Sequence, residues 1–199
     1  MRMEHAATDD VSQTKCTVKH ADEAALLERS VAGDRIAFEA LYRRNVGRIY
    51  TYIVYNVKTV EDAEELTQEV FVLAWRKLGQ FQGKSSFSTW LMAIAVGSIR
   101  MWRRSIKRRP AAAGDPLELE LLSGPIGPAA GEGPAPEALI DLRDAIRRLP
   151  DRARTVLILH EIAGYRHEEI GRIMATSDGT SKAQLARAKQ LLREAMKHD

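Results

Sequence analysis

The segment from Pro110 to Pro136 cannot belong to a regular core, and that divides the chain. It holds Pro110, Pro116, Pro125, Pro128, Pro134 and Pro136, six of the seven prolines, together with five glycines and no Lys or Arg. Proline removes a backbone donor and is excluded from helix interiors and central strands, while glycine raises the entropy lost on ordering. The absence of positive charge continues to Leu142, and the acids Asp115, Glu118, Glu120, Glu132, Glu137 and Asp141 give the stretch one sign. The sequence therefore reads as a tail over 1–21, a domain over 22–109, a flexible acidic linker over 110–136 and a second domain over 137–199. Each domain is short of the size at which a core is comfortably stable alone. A flexible coil of roughly 30 residues has a mean span of about 30 Å, close to one DNA turn of about 34 Å.

Both domains read as helical, and no alternating β-branched run predicts a sheet. Phe38, Leu41, Ile49 and Ile53 recur at helical spacing after Gly33-Asp34. Thr59 to Asp62 has the form of an N-terminal cap, and Leu66, Val70, Leu73 and Trp75 follow behind a first turn rich in acids. The stretch from Phe81 to Ser86 breaks the period, and a helix from about Ser86 runs into the basic block 100–109. Beyond the linker, Leu139, Leu142, Ile146 and Leu149 form a helix ended by Pro150, with Asp151 as the cap of a second reaching Ile162. Two more helices, Glu168 to Ala175 and Thr180 to Met196, meet at Thr176-Ser177-Asp178-Gly179, a pattern that fits a helix-turn-helix. The expected class is all-α, in two small domains.

Net charge is only +3, from 30 Lys and Arg against 27 Asp and Glu, but its distribution is uneven. Arg100, Arg103, Arg104, Lys107 and Arg108 fall at i, i+3, i+4, i+7 and i+8 and line one helical face. Such a face neutralises phosphates; it would also suit a solvated surface helix. Phe81, Phe87, Trp90 and Trp102 lie nearby, so aromatic faces for stacking on unpaired bases adjoin the charge. Trp90 is assigned to the core, and Phe87 stands between core and platform. In the last helix Leu185, Ala188 and Leu192 face inward, while Lys182, Ala186, Lys189 and Arg193 face out. Lys182, Gln184 and Arg187 are the candidates for base edges, and Lys189 and Arg193 for phosphates. A glycine-containing turn between short helices also occurs in ordinary bundles.

Catalysis finds less support. His160-Glu161 does not continue to an H-E-x-x-H helix, and no glycine-rich phosphate loop is present. Cys16 is the single cysteine, which excludes an intramolecular disulfide framework and fits a reducing compartment. Its i, i+4 pairing with His20 lies in the expected tail, so no metal or other cofactor is expected. Neither a signal peptide nor a bilayer-spanning run is apparent, which predicts a cytoplasmic protein without membrane insertion.

Residues 62–78 (DAEELTQEVFVLAWRKL), followed by Phe81-Gln82-Gly83 and by Ser86-Phe87-Ser88-Thr89-Trp90-Leu91, closely resemble region 2 of bacterial sigma factors of the extracytoplasmic-function type. Residues 148–189, with Leu149-Pro150, Glu168-Glu169-Ile170 and Gly179-Thr180, resemble their region 4. The resemblance implies a non-enzymatic factor that binds core RNA polymerase, directs it to promoters with minus-35 and minus-10 elements and assists melting. It implies docking on the β′ clamp helices through Glu65, Gln68 and Glu69, and a neighbouring contact with the β subunit. It further implies minus-10 contacts through Phe81, Lys84, Ser85, Phe87, Arg100, Arg103, Arg104, Lys107 and Arg108, and minus-35 reading through Lys182, Gln184, Arg187, Lys189 and Arg193. An anti-sigma protein is an implied further partner. The sequence departs from the pattern at Gly97, where many members carry an asparagine, at Arg166-His167 before the helix-turn-helix, and at Ala183 and Ala186 in the recognition helix. The rival reading is a helix-turn-helix regulator that binds duplex DNA without touching polymerase. Near-neutral total charge predicts weak DNA affinity for the free protein.

Overall fold

A computed structural model describes residues 22–108 and 136–196, with side chains over 22–106 and 142–196. The expectations for the tail with Cys16 and His20, for the linker, and for the side chains of Lys107 and Arg108 lie outside the described residues. Everything described is helix, turn or loop. The elements are α1 (22–31), α2 (Arg35–Val54), α3 (Val60–Lys77) with a 3₁₀ turn over Leu78–Gln80, and α4 (Phe87–Arg108). After the linker come α5 (Pro136–Arg148), α6 (Asp151–Leu157) continued by a π turn at Ile158–Ile162, α7 (His167–Met174) and α8 (Asp178–Ala195).

Local chemistry fixes most boundaries. Gly33 adopts φ +95°, and Asp34 then caps α2, its carboxylate accepting the N–H of Ile36 and of Ala37 at 2.9 and 3.1 Å. These backbone donors, that of Ala37 foremost, hold the Asp34 carboxyl below its ordinary range. Thr59 caps α3 as expected, accepting the Asp62 N–H at 3.1 Å. Ser86 starts α4, its hydroxyl accepting the Thr89 N–H at 3.2 Å. Gly83, at φ +66°, supplies the left-handed residue that turns the preceding loop. Asp151 does not cap α6; Pro150 occupies that position without a side-chain bond, and the Asp151 carboxylate turns instead to two arginines. The helix predicted from Asp151 to Ile162 changes to π geometry in its second half.

In the first domain α2 and α4 both pack on α3, burying Leu41, Ile49, Leu66, Val70, Phe87, Leu91 and Met92. In the second, α6 and α7 support α8 over Ile158, Leu159, Ile170 and Leu185. Each large apolar side chain removed from water contributes about 1.5–3 kcal/mol. The expected separation of about 30 Å between domains is not what the structure shows. Helix α4 packs on α7, and the buried apolar residues of the two domains form one cluster. Each small core gains a second covering, which answers the size problem posed by the sequence.

Candidate nucleic-acid interface

Three surfaces carry the predicted site residues. On α3, Glu65, Gln68 and Glu69 are exposed together, at i, i+3 and i+4, and Val72 extends the ridge at 48% exposure. The ridge faces outward because Leu66, Thr67, Val70 and Phe71 take the core side of the same helix. None of the three polar residues forms an ion pair among the described residues.

The second surface joins the loop before α4 to its C-terminal half. Phe81 is half-buried and packs against Phe87 and Trp90, with ring centroids 6.0 and 5.4 Å apart. Lys84 is exposed and Ser85 half-buried beside it. Phe87, predicted as a possible stacking platform, is wholly buried at 0% exposure. Its ring braces Phe81 and Trp90 from within the core and presents no face to solvent. Trp90 is half-buried and packed on the core.

The basic face is less uniform than its spacing implied. Arg100 and Arg104 are exposed, whereas the Arg103 side chain is only 15% exposed. Arg103 donates from Nη1 to Asp151 at 2.7 Å and from Nη2 to the Asn56 carbonyl. Its position explains this: Met92, Val96, Ile99 and Arg103 fall at i, i+4, i+7 and i+11, so the arginine ends the buried stripe. A cavity of about 470 Å³ separates this face from the helix-turn-helix, lined among others by Arg100, Arg104, Arg152, Thr180 and Gln184.

The third surface is α8. Ser177 caps it, accepting the Thr180 N–H at 3.2 Å, so the helix begins two residues before the predicted start. Lys182, Arg187 and Arg193 are exposed. Lys182 and Gln184 are two positions apart, about 200° around a helix that turns about 100° per residue. Gln184 accordingly lines the cavity on the side of α8 away from Lys182, while Arg187, about 60° from Gln184 around the helix, is exposed beside it. Lys189 is engaged with Glu161 at 2.8 Å, a bond that leads the causes holding the Glu161 carboxyl below its ordinary value.

The turn itself is tight. A Cβ at Gly171 would lie 2.8 Å from the Thr176 carbonyl oxygen, and Ala175 ends α7 in the left-handed region at φ 51°. Although Arg166 and His167 replace the family's usual opening residues, α7 is still capped. The Glu169 carboxylate accepts the Arg166 N–H at 2.9 Å. His167 stacks on His160, with centroids 4.4 Å apart, and its Nδ1 lies 2.9 Å from the Ser181 hydroxyl. Burial, followed by the charges of His160 and Lys182, pushes the His167 pKa down. Asn56, Thr155 and Tyr165, which sequence reasoning passed over, and Asp151, which it read only as a helix cap, all serve the contact between domains. No group of acids, histidines and cysteine suited to a metal occurs among the described residues.

The family described as "Sigma-70 region 2" matches residues 41–109, and that described as "Sigma-70, region 4" matches 139–192. The RNA polymerase sigma-H factor of Pseudomonas aeruginosa is 32% identical over 177 residues, covering 86% of this chain and 92% of its own. The ECF RNA polymerase sigma-E factor of Escherichia coli K12 is 32% identical over 178 residues, covering 85% and 92%. In fold, the chain resembles the sigma factor RpoE solved with the anti-sigma factor NepR from Bartonella quintana, with a TM-score of 0.64 at 22% identity over 81% of this chain and 98% of that one. The chain belongs to the sigma-70 family, among the sigma factors of the extracytoplasmic-function type.

Proposed function

We propose that the promoter-directing work of this sigma factor is divided between its two domains along the surfaces described above. Residues 22–109 dock on the β′ clamp helices through Glu65, Gln68 and Glu69 and hold the minus-10 element. Residues 137–199 read the minus-35 element from the open side of α8 and lie near the β subunit. The acidic linker between them suits a channel built for nucleic acid. The observation that carries this reading, against that of a regulator independent of polymerase, is the exposed polar ridge on α3. Nothing in the chain's own packing requires it, and polar groups of one sign steer and orient a partner.

At the minus-10 element the loop of Phe81, Lys84 and Ser85 receives an unstacked base. Phe81 offers the ring, with Phe87 and Trp90 fixing its angle. Extruding a base costs a few kcal/mol, which stacking at about 1–3 kcal/mol and phosphate contacts from Arg100 and Arg104 offset. Binding energy alone drives melting, so no catalytic residue or cofactor is required. Arg103 joins these contacts once released from Asp151. At the minus-35 element Lys182 and Arg187 reach base edges and Arg193 a phosphate. Gln184 adds a base contact if the cavity it lines with Arg100 and Arg104 opens. The cytoplasm is the compartment of this activity, and no described helix is long and apolar enough to cross a membrane. An anti-sigma protein that covers the same surfaces is a further expected partner.

The reading is tested by Glu65→Lys with Gln68→Ala. Loss of binding to core polymerase with duplex binding retained supports it; unchanged core binding rules out the ridge as the docking face.

A further inference from the structure

We propose that the cavity of about 470 Å³ between α4, α6 and the helix-turn-helix is a binding site for a free nucleotide of the nucleoside diphosphate class.

The walls of this cavity are cationic. Arg100, Arg103 and Arg104 reach it from α4 and Arg152 from α6, against one carboxylate, that of Asp151. Four positive charges and one negative leave an excess of three. Asp151 is already committed, to Arg103 at 2.7 Å and to Arg154 at 3.0 Å. Arg100, Arg104 and Arg152 form no ion pair with any described residue. Burial, followed by the charge of Arg103, lowers the pKa of the adjoining Arg154 to about 10, so the cations here already crowd one another. Guanidinium groups that converge on one space repel, and an anion that accepts from several of them relieves the repulsion.

The rest of the lining does not suit a bare phosphate. Val96, Ile99 and Val156 are buried and Met174 half-buried, and all four border the cavity. Apolar surface beside a few polar groups accepts the face of a ring. Gln184 lines the same space with an amide that makes no hydrogen bond to another described residue. Such an amide pairs with the N6 and N7 edge of adenine. Thr176 and Thr180 add hydroxyls. Uncommitted cations, an apolar surface and a free amide together match a phosphorylated base.

Charge and size point the same way. A terminal phosphate carries about −1.5 to −2 at pH 7 and a bridging one adds about −1, so a diphosphate balances the excess. Small-molecule sites occupy roughly 300–1,000 Å³, whereas a duplex, whose major groove alone is about 12 Å wide, is too large. The lining comes from both domains, so an occupant adds contacts that neither domain makes alone.

Titration calorimetry of the full-length protein with ADP, without polymerase or DNA, tests the proposal. The wild type is expected to bind one ADP per chain, saturably below about 1 mM, with adenosine and inorganic pyrophosphate each at least about tenfold weaker. Arg152→Glu is expected to weaken ADP binding at least about tenfold. Arg148→Glu, the same charge change at an exposed arginine outside the cavity, is expected to leave it within about twofold. Thr176→Phe fills the cavity without a change of charge. It is expected to abolish ADP binding and to leave the affinity for a single-stranded dA hexamer within about twofold, which also shows that the variant is folded. No saturable binding by the wild type, pyrophosphate as tight as ADP, or equal affinity of Arg152→Glu and Arg148→Glu overturns the proposal. Loss of ADP and hexamer together in Thr176→Phe overturns the assignment to a free nucleotide and gives the cavity to a DNA strand. None of these measurements involves polymerase or a promoter, so their failure leaves the sigma-factor reading standing.

Discussion

Gly171→Ala and Gly97→Ala are the same chemical change in two helices, and the structure predicts opposite signs. In a helix interior, alanine is favoured over glycine by about 1 kcal/mol. At Gly97, in α4, an added Cβ meets nothing within 4 Å, so that gain is retained. At Gly171, in α7, it would stand 2.8 Å from the Thr176 carbonyl and 3.3 Å from the Asp178 carboxylate. The turn cannot swing aside cheaply, because the Thr176 N–H is itself bonded to the Gly171 carbonyl at 2.9 Å. Overpacking of this kind costs about 1–3 kcal/mol. Against the propensity gain, the net is a loss of about 1 kcal/mol, and the two variants differ by about 2 kcal/mol. In a domain of this size 1 kcal/mol moves Tm by about 4–8 °C. Thermal unfolding followed by circular dichroism should place Gly97→Ala above the wild type and Gly171→Ala below it. Because the turn sets the entry angle of α8, Gly171→Ala should also weaken binding to minus-35 duplex. A Gly171→Ala protein as stable as Gly97→Ala would refute the packing argument for the helix-turn-helix.

Ala175→Gly should stabilise the protein by about 1 kcal/mol, since alanine holds a left-handed conformation there; denaturant midpoints check it. Ser177→Ala removes the cap of α8 and should cost about 1 kcal/mol, read by the same midpoints. His167 titrates below its ordinary value of 6.5 when folded. The folded state therefore holds fewer protons, so this contribution is complete above pH 6.5 and is lost as pH falls from there toward the folded pKa. Stability measured across that window should flatten in His167→Gln. Replacing Lys182, Arg187 or Arg193 with Ala should each reduce the salt slope of duplex binding by about 1 if the residue meets a phosphate. A residue that reads a base should instead relax sequence preference.

The helices were legible because their apolar periods are strong and their ends carry local chemistry. Asp34, Thr59 and Gly33 act within two or three residues of themselves, which is the range a sequence displays. Other features depended on partners far along the chain. Arg103 and Arg104 look alike in a count of basic residues, yet one ends the stripe Met92-Val96-Ile99 and the other does not. That stripe was available in the sequence and marks Arg103 as the inward member. Gln184 could likewise have been separated from Lys182 by its position around the helix. Phe87 was ambiguous because an aromatic beside a loop serves a core or a platform equally well, and only the packing of α4 decides. The docking of the two domains had no sequence signal, since Tyr52, Ser88, Thr155 and Tyr165 read as ordinary helix and loop residues. Helix α1 and the π turn were missed for lack of a strong period.

The most direct test is run-off transcription from a genomic template library by core polymerase with and without the protein, with start sites sequenced. The account predicts discrete new starts preceded by two shared elements, lost with Glu65→Lys. Duplex binding by the protein alongside no new start on any template would contradict it.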